Sequence, residues 1–431
     1  MSRGDGKLKK RRFFVLERMS SQELILNQDR QPKTSPYLLL GILVLTILIS
    51  TAYILRDPGA PMAHPMDQSF ISAADLRIGR SNGNWFFHYP NIMYSGGISS
   101  SLIAGIYKLI IPTSPENINW HIRIFAMVTY LTSSYLLVLK LVRKLPLRLL
   151  ALLTIASSAF QFIQPSSELF AGSLLMLFLY AILSRWPFII SSLLLALFGL
   201  SKVEMSVAAL AMAVAWWIWE HRRGNHNSIQ AIAFTALWML LFLIPSFILQ
   251  GANPQEMDRS MVAFRFTYAE LFFPHQFRSA AASIESSIPL LQEGLLKGSN
   301  SVFAFIRNHP SRYYDYLAVS FFRGLGQTVQ TFKFMLIPLA LAMVQPSRRL
   351  RPLVVLILIG AAFTLIPAWL FVYVRIRYFA KLFPALIAIA VAHSEDAHQE
   401  WVRWTTYACG IGTIIWQLFG FHHVWHSSHF L

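Results

Sequence analysis

The stretch "YLLLGILVLTILISTAYIL", residues 37–55, carries no charge over a length close to the ~20 residues that take a helix across a bilayer. A long polar segment precedes it and further apolar runs follow, so it is expected to be a first span rather than a cleaved signal peptide. The same composition extends along the chain. Of 431 residues, 55% are hydrophobic and 13% are charged, roughly half the charged fraction of a soluble domain. Mean hydropathy is +0.49. The expected fold class is an all-α polytopic membrane protein of about 11 transmembrane helices, within a range of 10–12. Two long outer loops are expected to hold interfacial helices.

The expected spans lie near 37–55, 119–142, 146–163, 167–184, 187–200, 203–219, 229–250, 331–345, 353–374, 378–393 and 404–420. Residues 1–35 form a basic N-terminal segment, with "KLKKRRFFVLERM" at 7–19 expected on the cytoplasmic side. Residues 36–431 form the membrane domain. With the N-terminus inside, the even-numbered junctions are cytoplasmic, and these hold Lys140, Arg143, Lys144, Arg148, Arg185, "HRRGNH" at 221–226, "PSRRLRP" at 346–352 and Arg403. Short basic loops inside are what the orientation rule requires. The C-terminus then lies outside. The long outer loops span 56–118 and 251–330, and "SSLIAGIYKLII" at 100–111 suits a helix lying on the membrane surface.

Several function classes recede. A net charge of +17 in so apolar a chain points to cytoplasmic basic loops and anionic headgroups rather than to nucleic acid. The single cysteine, Cys409, permits no internal disulfide and no cysteine-based metal cluster. There is no Gly-rich phosphate loop and no cytoplasmic loop large enough for a nucleotide-binding domain. Two long loops on one face, without a visible internal repeat, weigh against transport.

Just beyond the first span, Pro65 and the stop in "GRSNGN" predict a helix over about 65–78. Helical spacing sets Asp67 on one face with the apolar Phe70, Ile71, Ala74 and Ile78. Gln68 and Asp75 flank that face, with Arg77 and Arg80 near. A carboxylate on a buried face is costly unless it is paired or working. Asp67 is therefore the candidate for function, and Asp75 is read first as a partner for a nearby arginine. The alternative for Asp67 is an acid near a helix N-terminus, favoured by the dipole.

An acid after the first span is followed by an amphipathic helix, "NWFFHYPN" at 84–91, an apolar interfacial helix and a second span bearing Arg123. Further along come "QPSSELFAGSLL" at 164–175, "LFGLSKVEM" at 197–205 and "YVRIRYFAKLFPALIAIA" at 373–390. Their order and positions resemble the GT-C superfamily of integral-membrane glycosyltransferases, which includes dolichyl-phosphate-mannose protein mannosyltransferases and aminoarabinose transferases acting on lipid A. The resemblance implies a sugar transferred from a polyprenyl phosphate at the outer face, with Asp67 as catalytic base. Gln68 stands where the family often has a second acid, which weakens the case for a divalent metal. No other cofactor is implied. "HYPN" resembles the family's "YPP"-like segment, making His88 and Tyr89 candidates for substrate contact, with Asp75 and the Tyr378 of the Arg-Tyr segment beside them.

Independently of that resemblance, Arg375, Arg377 and Lys381 lie at the outer end of a span, where the inside bias disfavours cations. Arg377 and Lys381 have the spacing that stacks two side chains on one helical face. Donor phosphate is the favoured explanation, because a guanidinium forks two charge-assisted bonds onto such a group. Snorkelling at a helix end is the alternative. Lys202 is a further phosphate candidate. Ser201 and Glu204 form a capping-box pattern, Glu168 suits a helix first turn, and Arg123 either meets a lipid phosphate or marks a boundary. Arg307, His309, Arg312, Tyr313, Tyr314 and Asp315 read as an interfacial aromatic helix ahead of an acceptor site. His422, His423, His426 and His429 read as a solvated tail without a completing acid or thiol.

The expected partners are a polyprenyl-phosphate-linked sugar, a glycan, lipid or protein acceptor, and membrane lipid. The expected location is a bacterial inner membrane. Two other function classes stay open: an O-antigen-type polymerase or ligase using a lipid-pyrophosphate donor, and a transporter or flippase for a lipid-linked sugar.

Overall fold

The computed structural model describes residues 36–56, 78–81, 84–87, 97–111, 118–159, 166–250, 259–272, 301–371 and 374–427. Asp67, Asp75, His88 and Tyr89 lie outside these, as does His429. Helix α1 covers Pro36–Arg56 and α2 covers Gly97–Ile110. The main helices are α3 (Ile118–Leu141), α4 (Leu145–Ala159), α5 (Ser166–Leu183), α6 (Phe188–Gly199), α7 (Val203–Arg222) and α8 (Gln230–Gln250). The second long loop contributes α9 (Arg259–Phe272), α10 (Val302–Asn308) and α11 (Pro310–Phe332). The chain closes with α12 (Leu336–Val344), α13 (Arg351–Phe371), α14 (Ile376–Phe379), α15 (Phe383–Asp396) and α16 (Glu400–Ser427).

Among the described residues, four helices are long and apolar enough to cross a membrane: His121–Leu141, His226–Ile244, Pro310–Val344 and Arg351–Phe371. Helices also occupy the other expected segments, but several are short. The shortness of α15 has a physical reason. Every residue from Phe383 to Ala392 is buried, because α3, α4, α12, α13 and α16 surround it. A helix wrapped in protein needs neither a polar face nor a full span's length.

Three expectations are corrected. Ile78 belongs not to a helix but to strand β1 (Ile78–Ser81), which pairs antiparallel with β2 (Asn84–Phe87), Ser81 opposite Asn84. Among the described residues the fold is therefore helical with one antiparallel strand pair. The expected span near 331–345 is the end of a longer run: α11 passes through a 3₁₀ turn at Lys333–Met335 into α12, and Pro310–Val344 together is long and apolar enough to cross a membrane. Lys333 takes a left-handed φ of 49° at that joint. The nine-residue α12 rises only about 13 Å, so it cannot span alone. The third correction concerns Arg377 and Lys381, which share no helix because α14 ends at Phe379. Pro384 sits in the first turn of the following α15, where its missing N–H costs nothing.

α3 and α5 pack closely, and Gly172 explains how. A Cβ there would sit 2.8 Å from the Tyr130 ring and 3.1 Å from the Ala380 carbonyl oxygen. Tyr130 donates its hydroxyl to that same oxygen at 2.8 Å. One glycine and one tyrosine thus fix α3, α5 and the α14–α15 turn together.

Candidate functional site

Glu168 lies in the first turn of α5 and is fully buried. Its Oε2 is 2.9 Å from Lys381 Nζ in the α14–α15 turn, and its Oε1 accepts a hydrogen bond from Lys202 Nζ. Lys202 is the N-cap of α7, so three separate chain segments meet at one carboxylate. A helix-dipole role alone does not account for this geometry. Burial of a carboxylate demands pairing, and two ammonium groups leave the triad with a net positive charge.

Tyr378 extends the cluster. Lys202 Nζ lies 5.3 Å and the Arg377 guanidinium carbon 5.4 Å from its ring centroid, distances at which a ring face attracts a cation. Arg375 pairs with Glu270 of α9 at 2.6 Å. The α9–α11 helices are fastened here through α13: Tyr313 donates to the Leu370 carbonyl at 3.2 Å and Ser320 to the Trp369 carbonyl at 3.1 Å. The Ile376 N–H donates to Gln327 Oε1 at 3.3 Å, so α11 also holds the start of α14.

Arg123 belongs to the same level. Phe125 and Phe170 have ring centroids 5.9 Å apart, and Ser173 Oγ lies 3.4 Å from Thr129 Oγ1. That register of α3 against α5 sets Arg123, 2% exposed, beside the turn that carries Glu168. Helix α2 packs over this end, with Tyr107 Oη 3.0 Å from His121 Nδ1 and Ser99 N–H donating to the Leu200 carbonyl at 3.4 Å.

The structure thus gathers Lys202, Arg375, Arg377, Tyr378 and Lys381 at one end of the helices. It separates their duties. Lys381 is 1% exposed and committed to Glu168, whereas the Lys202 side chain is 12% exposed and that of Arg375 26%. The capping box fails: Lys202 rather than Ser201 is the N-cap of α7, and the Lys202 side chain makes no capping bond. Tyr313 is buried in an aromatic core with Phe264, Tyr268, Phe305 and Tyr316, so it packs rather than lines a cleft. Tyr314 is exposed. His422, His423 and His426 fall within α16, and among the described residues no group of His, Cys, Asp or Glu is arranged for a metal.

Glu270 was not evident from the sequence. Glu168 carried a usable signal: it is a lone acid in an otherwise uncharged apolar segment, where an ionisable group needs a partner. Compared with family models, curated proteins and solved structures, the chain matches none.

Proposed function

We propose that this chain is an integral-membrane glycosyltransferase of the GT-C type. It moves one sugar, with inversion, from a polyprenyl phosphate to an acceptor hydroxyl at the outer membrane face. The observation that carries the proposal is the convergence of Lys202, Arg375, Arg377 and Lys381 on two carboxylates and one tyrosine ring at a single end of the helices. Among the described residues the cations of this cluster outnumber its carboxylates, which supports an anionic ligand. The basic turns expected in the cytoplasm lie at the other helix ends, which supports an outer-face location for the cluster.

In this mechanism Asp67 takes the proton of the acceptor hydroxyl as its oxygen attacks the anomeric carbon. The bond from that carbon to the donor phosphate oxygen breaks, and polyprenyl phosphate leaves with the electron pair. Arg375, Arg377 and Lys202 stabilise the charge gathering on the phosphate, the arginines through forked hydrogen bonds. Lys381 acts at one remove: it anchors Glu168, the carboxylate with which Lys202 also pairs. About eleven spans, an inside N-terminus and a bacterial inner membrane complete the proposal.

The test is mass spectrometry of envelope glycolipids and glycans from cells making wild type or Asp67→Asn at matched abundance. General-base help supplies roughly 100- to 10,000-fold, so a species one sugar heavier is expected with wild type and lost in the variant. Undiminished product from Asp67→Asn rejects the base assignment. If Arg377→Gln alone abolishes product, a lipid-pyrophosphate ligase or polymerase takes precedence, since its chemistry depends on the cations.

A further inference from the structure

At the opposite end of the helices, the α5–α6 turn and the α7 C-terminus enclose a cleft of about 350 Å³. Arg185, Trp186, Trp216, Glu220, Arg223 and Asn225 are among its lining residues. The two turns that form it are built alike. In the first, Trp186 N–H donates to the Ala181 carbonyl at 2.9 Å and Arg185 N–H to the Ile182 carbonyl at 3.3 Å. In the second, Asn225 N–H donates to the Glu220 carbonyl at 3.1 Å and Gly224 N–H to the His221 carbonyl at 2.9 Å. Both have the paired 6→1 and 5→2 bonds of a Schellman motif, whose C′ residue is left-handed and usually glycine.

The second turn obeys that preference, with Gly224 at φ 83°. The first does not: Arg185 takes φ 57°, a conformation that side chains other than Gly and Asn rarely adopt. A large cation held in a glycine position projects into the cleft from a fixed backbone. Strain of this kind is retained where the side chain is used. Among the described residues no carboxylate pairs with Arg185. Arg223 pairs with Glu220 at 3.1 Å and stacks 5.3 Å from the Trp219 ring centroid, while Asn225 Nδ2 lies 3.5 Å from Glu220. Edge contacts hold the remaining aromatics, Tyr180 with Trp186 at 5.9 Å and Phe178 with Trp216 at 5.5 Å. Tryptophans beside arginines at helix ends mark the headgroup level of a membrane.

We infer that this cleft binds the phosphate group of a phospholipid headgroup, with Arg185 as its main ligand and Arg223 and Asn225 as supports. Glu220 fixes the geometry of those supports and lowers the cleft's charge, which suits a singly charged diester better than a free phosphate dianion. The site lies at the far ends of the helices from the proposed transferase centre, and the inference is independent of that reading.

The experiment is native mass spectrometry of the purified full chain from micelles doped with phosphatidylglycerol, comparing wild type, Arg185→Gly and Arg223→Gln. Wild type should retain lipid at sub-stoichiometric doping, and Arg185→Gly should bind at least about tenfold more weakly. Because glycine suits that backbone, the variant should unfold at the same temperature as wild type or a higher one. Equal retention by a stable Arg185→Gly protein overturns the inference. So does a fall in its unfolding temperature, which would make the side chain structural. Inorganic phosphate that displaces the lipid at low millimolar concentration would assign the cleft to a soluble anion instead.

Discussion

Glu168 makes two ion pairs while fully buried, and both its partners come from distant parts of the chain. Removing one member of such a group leaves the others charged in a medium that cannot solvate them. Glu168→Gln should therefore cost about 3–5 kcal/mol. The change should appear as a large drop in unfolding temperature in detergent. Coupling Glu168→Gln with Lys381→Met should recover part of that loss, because the double variant no longer buries the ammonium that faced the Glu168 carboxylate. A strictly additive double variant would show that the pair is not energetically linked. Gly172 is a second sensitive residue. Its alanine variant places a Cβ 2.8 Å from the Tyr130 ring and 3.1 Å from a backbone oxygen. Overpacking of that size should cost about 1–3 kcal/mol, and a Gly172→Ala protein with unchanged unfolding temperature would contradict the close packing of α3 on α5. At this scale the cations of the site were legible in the sequence, since they stand at junctions where the orientation bias, with the N-terminus taken as inside, disfavours positive groups. Their partners were not, because Glu168 and Glu270 meet them across 34 and 105 residues of chain.

Elements were legible where hydropathy and length agreed. α3 and α13 appear almost as their apolar runs predict. The errors fall where the chain changes direction. Ile78 seemed to complete a helical face, yet the Asn-Gly that follows it favours a hairpin, and cross-strand pairing won over helical periodicity. Arg377 and Lys381 had helical spacing, but Pro384 starts a new helix just beyond them. The capping box failed because the α6–α7 turn gives the N-cap to Lys202, whose side chain the buried Glu168 already claims. A different cap was hidden entirely. Glu395 near the end of α15 accepts from the backbone N–H groups of Arg143 and Lys144 at 2.8 and 2.7 Å, just ahead of α4. Glu395→Ala should cost about 0.5–2 kcal/mol, the usual range for losing a cap. Hydrogen exchange localised to the first turn of α4 should rise with it. An unchanged exchange rate there would show that water or another group serves those donors equally well.

For the whole molecule, the two ends of the helices carry different chemistry. One has short basic turns, with Arg349 paired to Asp396 at 3.3 Å and bonded to the Leu141 carbonyl at 3.0 Å. The other has the Glu168 and Glu270 clusters under α2 and α9. Orientation follows from this if the positive-inside bias holds. Single cysteines placed at the exposed His226 and Asn308, in a Cys409→Ser background, should then label from opposite sides of the membrane. Labelling of both from the same side would reverse or break the proposed topology. Helices apolar and long enough to cross a membrane were readable from the low charge and the lengths of the apolar runs. The proposed chemistry rests on a pattern of residues, Asp67 and the clustered cations. The central claim is settled most directly by incubating purified, reconstituted protein with a polyprenyl-phosphate sugar labelled in the sugar, alongside a membrane-lipid extract as acceptor. The account predicts label passing to a new glycosylated product with equimolar release of polyprenyl phosphate, abolished by Asp67→Asn. Label crossing the bilayer on intact donor, with no new glycosidic bond, would contradict it.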